Sequence, residues 1–311
     1  MAGITTSAFR RLCADFGGYG GLYTEMLAAK ALYSENIAAS PFTRRRPQEG
    51  KVIYQLRLTG DEDIQRAVAA LEPMQPDALD INCGCPAPEV ARRGGGFGLF
   101  RDEPRLAAVI ERTRKAWSGP LLIKCRIGEE APGWEEILVK RLHLFEQLGV
   151  DAVTVHPRFS HEKLKRYARW QLFPWIASQT RLPLIANGDI FSAAMLQAKE
   201  PILASVQGLM IGRMAVVKPW FFAELSGHKP LIDYAEVWQR HYRYTLEDFI
   251  PPKAIGRIKE FSAYYARNFL FGHDLYKRVQ GSSELSHLFD RAMEFFATNP
   301  AITAQPDVSG I

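Results

Sequence analysis

The chain has 311 residues, more than one minimal domain needs and enough for a barrel with a smaller companion. Hydrophobic residues make up 47% and charged residues 23%, an ordinary balance for a soluble globular protein, and the absence of an apolar run of about 18 residues excludes a bilayer-spanning helix. No basic-then-apolar leader opens the chain, so a cytoplasmic, non-membrane protein is expected, and the net charge of +5 is compatible with a polyanionic partner without requiring one.

In chain order, short β-branched or apolar runs at 21–25, 52–56, 78–82, 121–126, 152–156, 184–187 and 208–211 predict strands. Helix-patterned segments at 61–71, 104–117, 134–148 and 192–204 separate them, with Asp61 and Ser192 at expected N-caps and Gly149 as a C-terminal stop. This alternation predicts parallel strands with crossover helices, an α/β (β/α)₈ TIM barrel lacking one strand. The chain opens Met1-Ala2-Gly3-Ile4-Thr5 and runs straight into a helix, so the missing strand is expected before Met1; an unusual closure of the barrel is the alternative. From Tyr234 the pattern becomes helical, at 234–249, 253–269 and 282–298, with Pro251-Pro252 and Gly272 as breaks. The expected division is a catalytic barrel over 1–228 and an all-helical domain over 234–311.

Functional groups in such a barrel sit at the C-terminal ends of the strands. Gln55, Asn82, Lys124 with Arg126, His156 and Asn187 each close an apolar run, so all are expected around one mouth. The segment Asp80-Ile81-Asn82-Cys83-Gly84-Cys85-Pro86, followed by Arg92-Arg93-Gly94-Gly95-Gly96, places a thiol just past a strand end under a loop that can act as a mobile lid. Cys83 reads as a small buried hydrophobe. Cys85, between Gly84 and Pro86, is the candidate chemical thiol. The four cysteines lack zinc-site spacing and form no disulfide framework, so reduced thiols and no metal are expected.

Asp80–Pro86 with its glycine-rich loop, Gln55-Leu56, Lys124–Gly128, Val155-His156, Ala186-Asn187-Gly188-Asp189 and Ile211-Gly212-Arg213 before Pro219-Trp220 together resemble the tRNA-dihydrouridine synthases. The resemblance implies FMN as cofactor, reduced by NADPH or NADH, and tRNA as partner of a monomeric enzyme. It implies that Asn187, Gly188, Asp189, Gly212 and Arg213 hold the phosphate, that Lys124, Gln55 and His156 face the flavin ring, and that Met1 and Ala2 lie against it. It implies hydride delivery to uracil C6 and protonation of C5 by Cys85, with Asn82 holding the base. Glu89, Pro157 and Met214 depart from the family pattern.

Beyond the mouth, the run after His156 carries Arg158, His161, Lys163, Lys165, Arg166 and Arg169 among Phe159, Tyr167 and Trp170. Such a loop suits phosphates and an extruded base, and Arg158, Lys163, Lys165 and Arg166 are expected to contact tRNA. Arg240, Arg243, Lys253, Arg257, Lys259 and Arg267 supply further cations in the helical part, whereas Arg44-Arg45-Arg46 is expected on the opposite face. Two other functions fit parts of the pattern: an FMN barrel acting on a free metabolite, as a dihydroorotate dehydrogenase does, and a flavin-less tRNA-binding protein.

Overall fold

The apolar runs form seven strands: β1 (Leu22–Ala28), β2 (Val52–Arg57), β3 (Ala78–Cys83), β4 (Leu121–Arg126), β5 (Ala152–His156), β6 (Leu184–Asn187) and β7 (Gly208–Met210). These come from a computed structural model, which describes residues 1–162 and 166–308. All pairs are parallel and follow sequence order. Every residue of β3 and β5 is buried, one face against the crossover helices and the other turned into the concave interior. The register sets Gln55 beside Asp80, Asn82 beside Lys124, Arg126 beside His156 and Asn187 beside Met210, so the polar strand ends lie along one rim.

Among the described residues β7 pairs only with β6 and β1 only with β2, which makes the sheet a seven-stranded curl. In a closed barrel side chains fill the interior. Here a cavity of about 980 Å³ runs along the concave face, from Leu122, Ala152 and Pro183 at strand starts to Asn82 and His156 at strand ends. Residues of both β1 and β7 line it. The turn beginning at Met1, whose carbonyl accepts from the N–H groups of Ile4 and Thr5, lies at the mouth end of this gap.

The helices differ from expectation in instructive places. The helix Ile64–Leu71 is capped by Asp63, whose side chain accepts from the N–H of Arg66 at 3.0 Å. Asp61 pairs instead with Lys30. The start moves because Glu62 first accepts from the N–H groups of Thr59 and Gly60, both at 2.8 Å, which keeps the chain in a loop. Ser192 does cap, accepting from Met195 N–H, but its helix divides into Ala193–Gln197 and Glu200–Leu203, with Pro201 unable to continue the first piece. Gly149, at φ 75°, ends the helix Trp134–Gln147 as expected. In the C-terminal part the expected break at Pro251-Pro252 falls between the helices Tyr234–Asp248 and Pro251–Tyr265, with the prolines forming the first turn of the second, and Gly272 opens an unforeseen helix, Gly272–Gln280.

Two hydrophobic cores result. One joins the strands to their crossover helices. The second is built on Trp238, Ile258, Phe261, Tyr265 and Leu288, yet it also takes Phe9 and Leu12 from the helix Ser7–Ala14, and Trp220. Ion pairs from Arg44 and Arg46 to Asp248, and from Arg11 in the helix Ser7–Ala14 to Glu247, tie the barrel to the helix Tyr234–Asp248. No helix among the described residues is long and apolar enough to cross a membrane.

Candidate active site

Alternation along β3 sends Leu79, Ile81 and Cys83 into the helix-facing core and leaves Asp80 and Asn82 for the concave side. There a chain of hydrogen bonds forms. Asp80 Oδ1 accepts from Gln55 Nε2 at 2.8 Å, Gln55 Oε1 accepts from Asn82 Nδ2 at 2.9 Å, and Asn82 Oδ1 accepts from the N–H of Cys85 at 3.0 Å. Asn82 thereby fixes the turn carrying the thiol and keeps one amide proton for another acceptor. Asp80 is fully buried and its Oδ2 has no hydrogen-bond partner. Burial pushes its carboxyl up to about 7, against the pull of the Gln55 hydrogen bond and of Lys124.

Cys85 is half-buried and lines the cavity, whereas Cys83 and Cys125 are sealed in the core. Burial pushes the Cys125 thiol up to about 12 and Cys83 well above its ordinary value. The carbonyl of Cys85 accepts from Phe97 N–H at 2.9 Å. Gly96, at φ 55°, permits that closure: a Cβ there would sit 2.7 Å from the Cys85 oxygen.

Across the mouth, Lys124 is buried deeply enough to hold its amine below the usual range, with Asp80 opposing that shift. His156 is held well below its usual pKa, first by burial and then by Lys124, Arg126, Arg158 and Arg213 around it. Its Nε2 lies 2.8 Å from Arg158 Nη1. A guanidinium can only donate, so Nε2 accepts and the ring proton belongs on Nδ1. Asp189, itself at φ 50°, receives both carboxylate hydrogen bonds of Arg158 at 2.8 and 2.7 Å and one from Arg213 at 3.0 Å. Gly188 has φ +111°, and a Cβ there would meet His156 Cδ2 at 2.7 Å, so only glycine lets these loops close. Asn187 Nδ2 donates to the Met210 carbonyl at 2.9 Å, joining β6 to β7.

One wall therefore gathers the thiol, a neutral imidazole, buried cations and a glycine-lined backbone turn. The model of the dihydrouridine synthase (Dus) family matches residues 1–287. The chain belongs to this family.

Dihydrouridine synthase relatives cover most of it. A probable tRNA-dihydrouridine synthase of Rickettsia bellii is 32% identical over 321 residues, covering 96% of this chain and 93% of its own length. One from Mycobacterium tuberculosis (strain ATCC 25618 / H37Rv) is 30% identical, covering 94% and 80%. The tRNA-dihydrouridine synthase B of Proteus vulgaris is 28% identical, covering 91% and 80%. Among solved structures, an old yellow enzyme homologue from Zymomonas mobilis superposes with TM-score 0.52 at 12% identity, over 76% of this chain and 87% of that one, a likeness of fold.

For this dihydrouridine synthase the structure brings together Met1, Ala2, Gln55, Asn82, Cys85 and Lys124 on one cavity. The same cavity is lined by His156, Asn187, Gly188, Asp189, Gly212 and Arg213. Arg158 also lines it, but with 2% of its side chain exposed it is a strut between His156 and Asp189, not a cation on an outer loop. Arg166 is exposed, 3.8 Å from Glu162; Lys163 and Lys165 lie outside the described residues. Glu162 also takes both prongs of Arg169, so a buried carboxylate offsets part of this loop's charge. Phe159 and Trp170 are core residues, while Tyr167 stands in solvent. In the helical part Arg240 and Arg243 pair with Glu236, and Arg257 with Glu260. Sequence reasoning did not single out Asp80 for a role of its own, although a carboxylate between Leu79 and Ile81 is a readable signal. It also missed Tyr264, which reaches the cavity from the helix Pro251–Tyr265.

Proposed function

We propose that this dihydrouridine synthase acts on tRNA, reducing uridine to 5,6-dihydrouridine with FMN as resident cofactor, NADPH or NADH as reductant and Cys85 as proton donor. The observation that carries this reading is Cys85, tethered through Asn82 Oδ1 and Phe97 N–H at the edge of a cavity that also presents Lys124 and His156. The residues present fit a flavin. The cavity has apolar walls such as Leu122, Ile185 and Leu209, and buried Lys124 can meet negative charge on a ring edge. Gly188 and Gly212 present their backbone to the cavity, and Arg213 beside them suits a phosphate.

Gln55, Lys124 and the Nδ1–H of His156 would hold the ring, while Asn187, Gly188, Asp189, Gly212 and Arg213 would hold the phosphate; Met1 and Ala2 would flank the ring. When bound, the group supplies the hydride that reaches C6 of the pyrimidine. Asn82 offers its remaining amide proton to the base. Cys85 gives its Sγ proton to C5, which completes the addition of one hydride and one proton across the double bond. Residues 1–228 would form the catalytic unit and 234–311 the tRNA-recognising one, with Arg166, Lys163 and Lys165 meeting the RNA backbone; the enzyme would work as a cytoplasmic monomer.

The test is dihydrouridine formation on a tRNA transcript by the purified protein with NADPH. Cys85→Ala should keep flavin and tRNA binding and lose turnover on the order of 10²-fold or more, the worth of a general acid. Cys83→Ala should be mild. Equal losses from the two substitutions, or no product from the wild type, would overturn the assignment.

A further inference from the structure

On the same loop as Cys85, but outside the main cavity, lies a second concavity of about 460 Å³. Four arginines line it, Arg92, Arg93, Arg101 and Arg105, and among its described lining residues the one carboxylate is Asp102. The backbone builds it by a short helix, Pro88–Ala91, a turn through Gly94 at φ +81°, and a second short helix, Phe97–Arg101, before Asp102 caps the helix Glu103–Ala116. Gly94 has a specific part in this. A Cβ at that position would sit 2.4 Å from Arg105 Nη1, so the missing side chain is what lets the Arg105 guanidinium lie across the turn.

The charges in this concavity are poorly balanced from within. Arg105 meets Asp102 at 3.2 Å and Arg101 meets Glu129 at 3.4 Å, both as exposed pairs that solvent screens. Arg92 and Arg93 are exposed and make no ion pair among the described residues. With Arg101 and Arg105 each countered by one carboxylate, the unpaired Arg92 and Arg93 leave the hollow with net positive charge that attracts an anion. Their planar forks match phosphate oxygens better than ammonium groups would.

Position narrows the anion. The loop leaves the C-terminal end of β3, so the hollow sits on the rim of the mouth, and Gly96 packs against Cys85 only a few residues away. A base that enters the mouth brings the strand on either side of it over the rim, within reach of charges placed there. We propose that the arginine-lined hollow binds a phosphodiester of the RNA strand next to the uridine being reduced. This deepens, and rests on, the reading of the chain as a tRNA-modifying enzyme. The glycine-rich segment is then less a lid than a phosphate cradle that sets the strand relative to the thiol. A free nucleoside, lacking that phosphodiester, would lose this anchor.

The experiment uses the full-length, flavin-loaded enzyme and one tRNA transcript, with binding measured over a salt series. The Arg92→Ala/Arg93→Ala double variant should raise the Kd for tRNA about tenfold or more and reduce the salt slope by about one unit, the worth of the one lost phosphate contact. Turnover should fall through KM rather than kcat. Arg92→Lys/Arg93→Lys, which retains the charge and guards against a folding defect, should recover most of the slope and part of the affinity. Lys115→Ala/Lys140→Ala, on the helices Glu103–Ala116 and Trp134–Gln147, is the control for charge alone and should match wild type. Wild-type Kd and slope in the alanine pair would overturn the proposal. So would a raised KM for NADPH with intact tRNA binding, which would give the hollow to the reductant's phosphate. If the wild type forms no dihydrouridine yet binds tRNA through these arginines, the catalytic reading fails while the cradle stands.

Discussion

Arg158 and Asp189 form a two-point ion pair, with side chains 2% and 4% exposed, and the same carboxylate takes Arg213 at 3.0 Å. Asp189 is therefore the hub that holds two guanidinium groups in place beside the cavity. Arg213→Ala should weaken flavin retention by about 1.5–3 kcal/mol, the worth of a charge-assisted hydrogen bond. Asp189→Ala should do more damage, because it strands Arg158 in a buried setting as well, and loss of one partner of a buried pair costs about 3–5 kcal/mol of stability. Flavin occupancy after dialysis and urea unfolding measure the two effects. Occupancy equal to wild type in the Arg213 variant would remove it from the phosphate site.

Asp80 gives a prediction with a sign. Its folded carboxyl titrates near about 7, above the unfolded value of about 3.9. Between those values the folded chain binds more protons than the unfolded one. The contribution of Asp80 to stability is thus highest below about pH 4, falls as pH rises toward about 7, and stays low above it. Asp80→Asn keeps an oxygen for Gln55 and removes the titration. Relative to wild type, its stability should rise by on the order of a few kcal/mol between about pH 4 and pH 8. Parallel pH curves for the two proteins would show that Asp80 ionises as an ordinary surface carboxylate does.

Arg10 and Glu49 pair at 2.6 Å with side chains 1% and 0% exposed, and Glu49 also accepts from Ser7 Oγ and Arg46 N–H. Glu49→Ala leaves a buried guanidinium without its counter-charge and should cost about 3–5 kcal/mol. Replacing both residues by apolar ones of similar volume should cost much less, since the desolvation penalty then disappears with the pair. Equal losses in the single and double variants, read by chemical denaturation, would mean that the pair's other hydrogen bonds dominate.

Strand positions were legible because these strands are short apolar runs bounded by turn residues, most plainly the fully buried β3 and β5. Polar residues closing such runs had to share one rim, which is why Gln55, Asn82, Lys124, His156 and Asn187 could be grouped. What these side chains bond to was not legible. Asn82 and Gln55 read as ligand contacts, yet each spends part of its amide on the chain from Asp80 to Cys85. Arg158 sat in a run of basic residues, where charge suggests solvent; only the fold reveals Asp189 waiting behind it. The two-residue shift from Asp61 to Asp63 came from Glu62 closing the preceding loop, a contact that no periodicity encodes.

The helix Ser7–Ala14 belongs to the second hydrophobic core, where Phe9 and Leu12 join a cluster that includes Trp238, Phe261 and Leu288. During synthesis this helix leaves the ribosome more than two hundred residues ahead of its partners. At about 5–20 residues per second, its apolar face waits on the order of ten seconds or more for cover. A nascent chain halted after the last strand would carry that face uncovered, making it a natural holding point for a chaperone and the first surface to aggregate if translation stalls.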